Sequence, residues 1–178
     1  MQGLVNLASQ VGLIFAVLLQ PACYLGALAL FINAGWGFWR QAQPDNPYRG
    51  RPWVPAVSLV LCGVLASFDK LLTKANVSAG STVVVRMSDA VSYTPTAAPT
   101  TVLGANAGEA IVNVVQLFLL FFQAFGAMAC LVAVLAWHAS VTGRSNRSKA
   151  ASGVQFAFGV ALINIQTISR WLVATFTV

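Results

Sequence analysis

The sequence predicts an all-α membrane protein, and three observations carry that prediction. Hydrophobic residues make up 58% of the chain and charged residues only 8%, against about 45–50% and about 25% in a soluble domain. Four apolar runs recur along the chain. Apart from Arg170, the few charges lie between those runs. So little charge cannot cover a water-soluble globule of 178 residues, and the mean hydropathy of +0.76 agrees. A soluble enzyme, a nucleic-acid module and a disordered tail are excluded. An integral membrane protein remains, or a subunit that leaves the membrane only inside a polymer. The expectation is one helical membrane domain, residues 1–178, with about four apolar helices and a long irregular outer loop.

The first run goes from Val11 to Trp39, interrupted by Gln20, Pro21 and Asn33. It is too long for one straight span, since about 20 residues at 1.5 Å each suffice. Pro21 should kink or break it, because proline cannot donate to the preceding turn. Leu4 to Gln20 then enters or lies along the membrane, and Pro21 to Trp39 spans it. Trp36, Phe38, Trp39 and Arg40 form an aromatic and basic interface anchor. Met1 to Gln10 carries no Lys or Arg, so a cleavable signal peptide is not expected.

The second run, Val54 to Phe68, is short, and Asp69, Lys70 and Lys74 close it. A span or a half-buried hairpin helix both suit it. The third run is Ala110 to His138. The fourth, Gly153 to Val178, is long enough but contains Gln155, Asn164, Gln166 and Arg170. Between the second and third runs, Ala75 to Gly108 is rich in Ala, Thr, Ser and Val and reads as an extramembrane loop. Within it, Thr82 to Arg86 is β-branched and suits a short strand or hairpin arm. Gly104 and Gly108 form a GxxxG outside any span. No internal repeat is legible.

Charge placement predicts the topology. Arg40, Arg49 and Arg51 face Asp45 alone in the first short connection. Arg144, Arg147 and Lys149 face no acid in the second. The positive-inside rule puts both on the cytoplasmic side. The two termini and the 69–109 loop then lie on the outer side. These six cations suit lipid headgroups or a polar lumen, rather than sequence-specific nucleic acid.

Two polar stripes stand out. Gln155, Gln166 and Arg170 fall within about 60° on a continuous helix, as do Glu109, Gln116 and Gln123 within about 40°. Such stripes serve as helix–helix glue or line a lumen. Arg170 is the sharpest single residue. A structural ion pair with Asp69 or Glu109, a lipid phosphate, and ion conduction are its alternatives. Cys23, Cys62 and Cys130 each lie in an apolar run and read as packing residues. His138 is the sole histidine and the chain has no glycine-rich phosphate loop, so no catalytic residue and no metal site is expected.

Gly153 to Ile165, following a basic Ser-Lys loop, resembles the last span of the IcmC/DotE membrane proteins of type IVB secretion systems. It is also similar to their TraQ-like counterparts in IncI-type conjugative plasmids. Tyr24-Leu25-Gly26-Ala27-Leu28 through Phe31-Ile32 resembles the family's first span. Phe158-Gly159 stands where that family's pattern has two glycines. The resemblance implies a structural part in a conjugative DNA-transfer apparatus and supplies no catalytic residues. A helix-packed pilus subunit is the leading expectation, with copies of itself, other transfer proteins and a structural phospholipid as partners. A resident inner-membrane component of the transfer channel, or a small transporter or channel, is the alternative.

Overall fold

The computed structural model describes residues 2–46, 48–85 and 107–176. These residues are all-helical: α1 Gln2–Gln41, α2 Val54–Ala66, α3 Phe68–Ser78, α4 Ala107–Leu117, α5 Leu119–Val141, α6 Lys149–Ile163 and α7 Ile165–Phe176. Two helices, α1 and α5, are long and apolar enough to cross a membrane. The number rises to four if each of the bent pairs α2–α3 and α6–α7 is one span. Most of the long loop, Gly104 included, lies outside the described residues.

The first correction concerns Pro21, which sits inside one unbroken 40-residue helix. Gly12, Ala16, Leu19, Cys23, Ala27, Leu30, Ala34 and Gly37 are all buried. They recur at steps of three and four, the spacing of a narrow helix seam. Pro21 is exposed on another face. Its missing N–H costs one ladder bond, while the seam against α2 and α5 continues past it. At about 1.5 Å per residue α1 is about 60 Å long, twice a bilayer core.

The second correction concerns the later runs, which do not continue as straight helices. The second breaks at Ser67, where the chain turns by 82°. The Ser67 Oγ donates to the Gly63 carbonyl at 2.9 Å, a local bond that competes with the helix ladder. Phe68 and Leu72 then swing under the bundle and become fully buried. The third begins at Ala107 and is interrupted at Phe118. The fourth breaks at Asn164, with a bend of 76°. Alone, α2 and α6 are about 20 Å and about 22 Å long, shorter than a bilayer core.

The expected strand near Thr82 is absent from the described residues 82–85. Helix α3 runs to Ser78, so the loop starts later than Ala75. A Schellman turn ends α3: Ser81 N–H donates to Asn76 O and Gly80 N–H to Val77 O, both at 3.0 Å. Gly80 takes the required positive φ of 78°. The chain then runs back along α3. Thr73 Oγ1 donates to Val85 O at 3.3 Å and accepts from Val85 N–H at 3.2 Å. Side chains of α3 thus satisfy the backbone that a partner strand would have satisfied.

Contacts fix the directions. Gly12 lies against the Phe121 backbone and Gly37 against Pro55, while Arg144 reaches Asn33. Helices α1 and α5 therefore run parallel, and α2 and α6 return antiparallel to them. Each half reads long helix, basic connection, short helix, sharp bend, short helix. The tertiary structure thus repeats a pattern that residue identities conceal. The two halves differ at Phe118, since α1 has no equivalent break.

At the α5–α6 crossing the backbones nearly touch. A Cβ at Gly126 would lie 2.6 Å from Gly159 O. Small residues permit this approach in membranes, and the lone Gly159 suffices without a second glycine beside it. Polarity is inverted relative to a soluble protein. Leu25, Val60 and Val154 are at least two-thirds exposed, while Ser58, Asn76, His138 and Asn164 are buried. In lipid this is the expected arrangement, because the exterior needs no water-binding groups and every polar group needs an internal partner.

Candidate functional site at the basic end

The two basic connections meet at one end of the bundle. The first is a folded turn. Gln41 Nε2 donates to Pro52 O at 2.6 Å, and Tyr48 N–H donates to Asn46 Oδ1 at 2.8 Å. The second begins with a Schellman turn at the end of α5. Arg144 N–H donates to Ala139 O at 2.9 Å, and Gly143 has φ of 78°. Ser140 Oγ donates to Arg147 O at 2.6 Å and holds the approach to α6.

The six predicted cations sit on this frame. Arg40 lies over Trp36, 5.8 Å from the ring centroid. The Arg51 guanidinium packs on Gly143, where a side chain would collide with it. Arg144 donates to Asn33 Oδ1 at 3.2 Å. Arg49, Arg147 and Lys149 are exposed. Trp36, Trp39 and Trp53 are exposed around the same end. An aromatic and cationic rim of this kind suits the membrane interface.

Beneath the rim lies a cavity of about 30 Å³, with Asn33, Tyr48, Ser58, His138, Thr142 and Arg144 among its walls. It is large enough for an ordered water. Ser58 Oγ and His138 Nε2 are 2.8 Å apart, both buried, and Ser58 Oγ also reaches Val54 O at 3.2 Å. With the hydroxyl proton on that carbonyl, the imidazole donates to the hydroxyl, which makes the pair a staple between α2 and α5. Sequence reasoning passed over Ser58. The available signal was a serine alone inside the apolar run of α2.

The predicted stripes disperse. Gln155 Nε2 donates to Ala129 O at 3.4 Å, across α5 and α6. Gln116, Gln123 and Gln166 are half-buried on α4, α5 and α7. The Asn164 bend separates Gln155 from Gln166, so one continuous polar line does not form. Arg170 is exposed on α7 and makes no ion pair among the described residues. Asp69 lies instead in the first turn of α3. An acid there complements the positive end of the helix. Glu109 lies in the first turn of α4. The three cysteines are free, with Cys23 and Cys130 buried.

A second polar cluster lies at the opposite end of α6. Asn164 Nδ2 donates to Asn76 Oδ1 at 3.0 Å and to Val160 O at 2.9 Å. Asn76 Nδ2 donates to Val83 O at 3.2 Å. The two asparagines tie α3 to the bend between α6 and α7. No family model, no curated protein and no solved structure matches this chain.

Proposed function

We propose that the chain is a structural subunit of a conjugative, type IVB-like DNA-transfer apparatus, assembling by helix packing as a pilus subunit. The observation that supports an assembling role is the outer surface of α1, α2 and α6. Leu25, Ile32, Val60, Val154 and Phe158 stand exposed there. An apolar surface of this extent must be covered by lipid or by further subunits. The transfer apparatus itself is inferred from the resemblance to the IcmC/DotE and TraQ-like proteins. In this reading the basic end faces the cytoplasm before assembly, and Arg40, Arg49, Arg51, Arg144, Arg147 and Lys149 contact headgroups or a lumen. The test is to shear the surface of cells carrying the intact transfer system and identify the filament protein by mass spectrometry. Dominance of this chain in sheared filaments is the expected result. Confinement of all of it to the inner membrane overturns the pilus reading and favours a resident component of the channel.

A further inference from the structure

We infer that the first half of α1 is a seam through which copies of this chain pair as a parallel coil in register, beyond the lipid. The inference rests on the assembling role proposed above and adds to it the surface, the direction and the register. Helix α1 is about 60 Å long, and one bilayer core covers about 30 Å of it. Its two halves carry different surfaces. From Pro21 to Trp39, about 28 Å, every exposed residue is apolar or aromatic. Trp36, Trp39 and Arg40 close this half with an interface anchor. This half takes the lipid.

From Gln2 to Gln20 a further length of about 28 Å lies beyond it. There Asn6 and Gln10 stand exposed, which suits water rather than hydrocarbon. Yet Leu4, Leu7, Ile14 and Leu18 are exposed by 50% to 67% on the same stretch. With the half-buried Val11 they recur at alternating steps of three and four, the a and d positions of a heptad. They fall within about 80° of one another, while Asn6 lies about 120° from their centre. Gly12, which meets the Phe121 backbone of α5, lies about 120° round on the other side. Helix α1 can therefore hold α5 and a second helix at once.

What covers this seam must be apolar, outside the lipid and level with it. A second copy of the chain meets all three conditions. Copies inserted with one topology carry the same seam at the same height and in the same direction. Residues 1–39 include no Lys, Arg, Asp or Glu, so no charge repels a like helix or selects a charged partner. In a parallel, level coil each a and d residue sits beside its own counterpart. That pairing of like with like is what an experiment can read.

The test is oxidative cysteine cross-linking of the full chain in its native membranes. A Cys62→Ala background leaves only the two buried cysteines, Cys23 and Cys130. Leu7→Cys and Ile14→Cys, at the d positions, should give disulfide-linked dimers. Asn6→Cys and Leu13→Cys, one residue earlier on another face, should fall to the background yield. Equal yields at all four positions overturn the seam. Dimers from Val60→Cys on α2 or Val154→Cys on α6, with none from Leu7→Cys or Ile14→Cys, also overturn it. That result leaves the assembling role standing and moves the interface to the faces of the short helices. No dimer from any of the six variants overturns both. As a second readout, Leu7→Gln with Ile14→Gln should abolish co-purification of a differently tagged copy without changing helix content by circular dichroism. Co-purification that persists in this variant overturns the seam.

Discussion

Gly126→Ala and Gly159→Ala should each destabilise the protein, although alanine is the better helix former. A Cβ at Gly126 would lie 2.6 Å from Gly159 O and 3.0 Å from Leu162 Cβ. One at Gly159 would lie 2.5 Å from Cys130 Sγ and 2.7 Å from Gly126 O. Ordinary contact begins at 3.4 Å, so α5 and α6 must part by roughly 0.8 Å (3.4 less 2.6). Backbone atoms lie on both sides of the crossing, so no flexible side chain can move aside. Overpacking of this kind costs about 1–3 kcal/mol, and alanine returns about 1 kcal/mol of helix propensity. The net loss is up to about 2 kcal/mol, a fall in Tm of up to about 8 °C for a chain of this size. Thermal unfolding in detergent, followed by circular dichroism, measures it. Gly63→Ala is the control, because an added Cβ there meets nothing within 4 Å. It should raise stability by up to about 1 kcal/mol. The double variant should cost less than the two single losses together, since one separation relieves both collisions. If Gly126→Ala and Gly159→Ala both rise in step with Gly63→Ala, the close crossing is refuted.

Two other perturbations test the breaks and continuities of the helices. Pro21→Ala restores one ladder donor on the outer face of α1 and should stabilise the protein by as much as about 3 kcal/mol without changing its helix content. A fall in stability would show that Pro21 shapes a kink that the core requires. Asn164→Leu removes the donor to the buried Asn76 Oδ1 and should cost about 1–3 kcal/mol. Combining it with Asn76→Leu should recover part of the loss, because both polar partners are then gone. A full sum of the two single losses would contradict a direct bond between them.

The helical, membrane-suited character of the described residues was legible from composition and run length. These report how much surface must avoid water, wherever the chain turns. The gathering of Arg51 and Arg144 at one end follows from alternating apolar runs, because two short connections flanking hairpins fall on the same side. Local sequence was a poorer guide to continuity. Pro21 is the strongest helix breaker in the first run, yet α1 passes through it, since its ring lies outside the packed seam. Ser67 and Asn164 are weaker signals, yet both end helices, because Phe68 with Leu72 and Asn76 with Asn164 gain burial or a partner only once the chain turns. The Ser58–His138 pair joins residues 80 positions apart, and the Asn76–Asn164 pair joins residues 88 apart. No periodicity along one helix encodes such meetings. The doubled pattern of the two halves was hidden for the same reason. It resides in helix lengths, bends and directions, and packing between helices sets these more strongly than residue identity does.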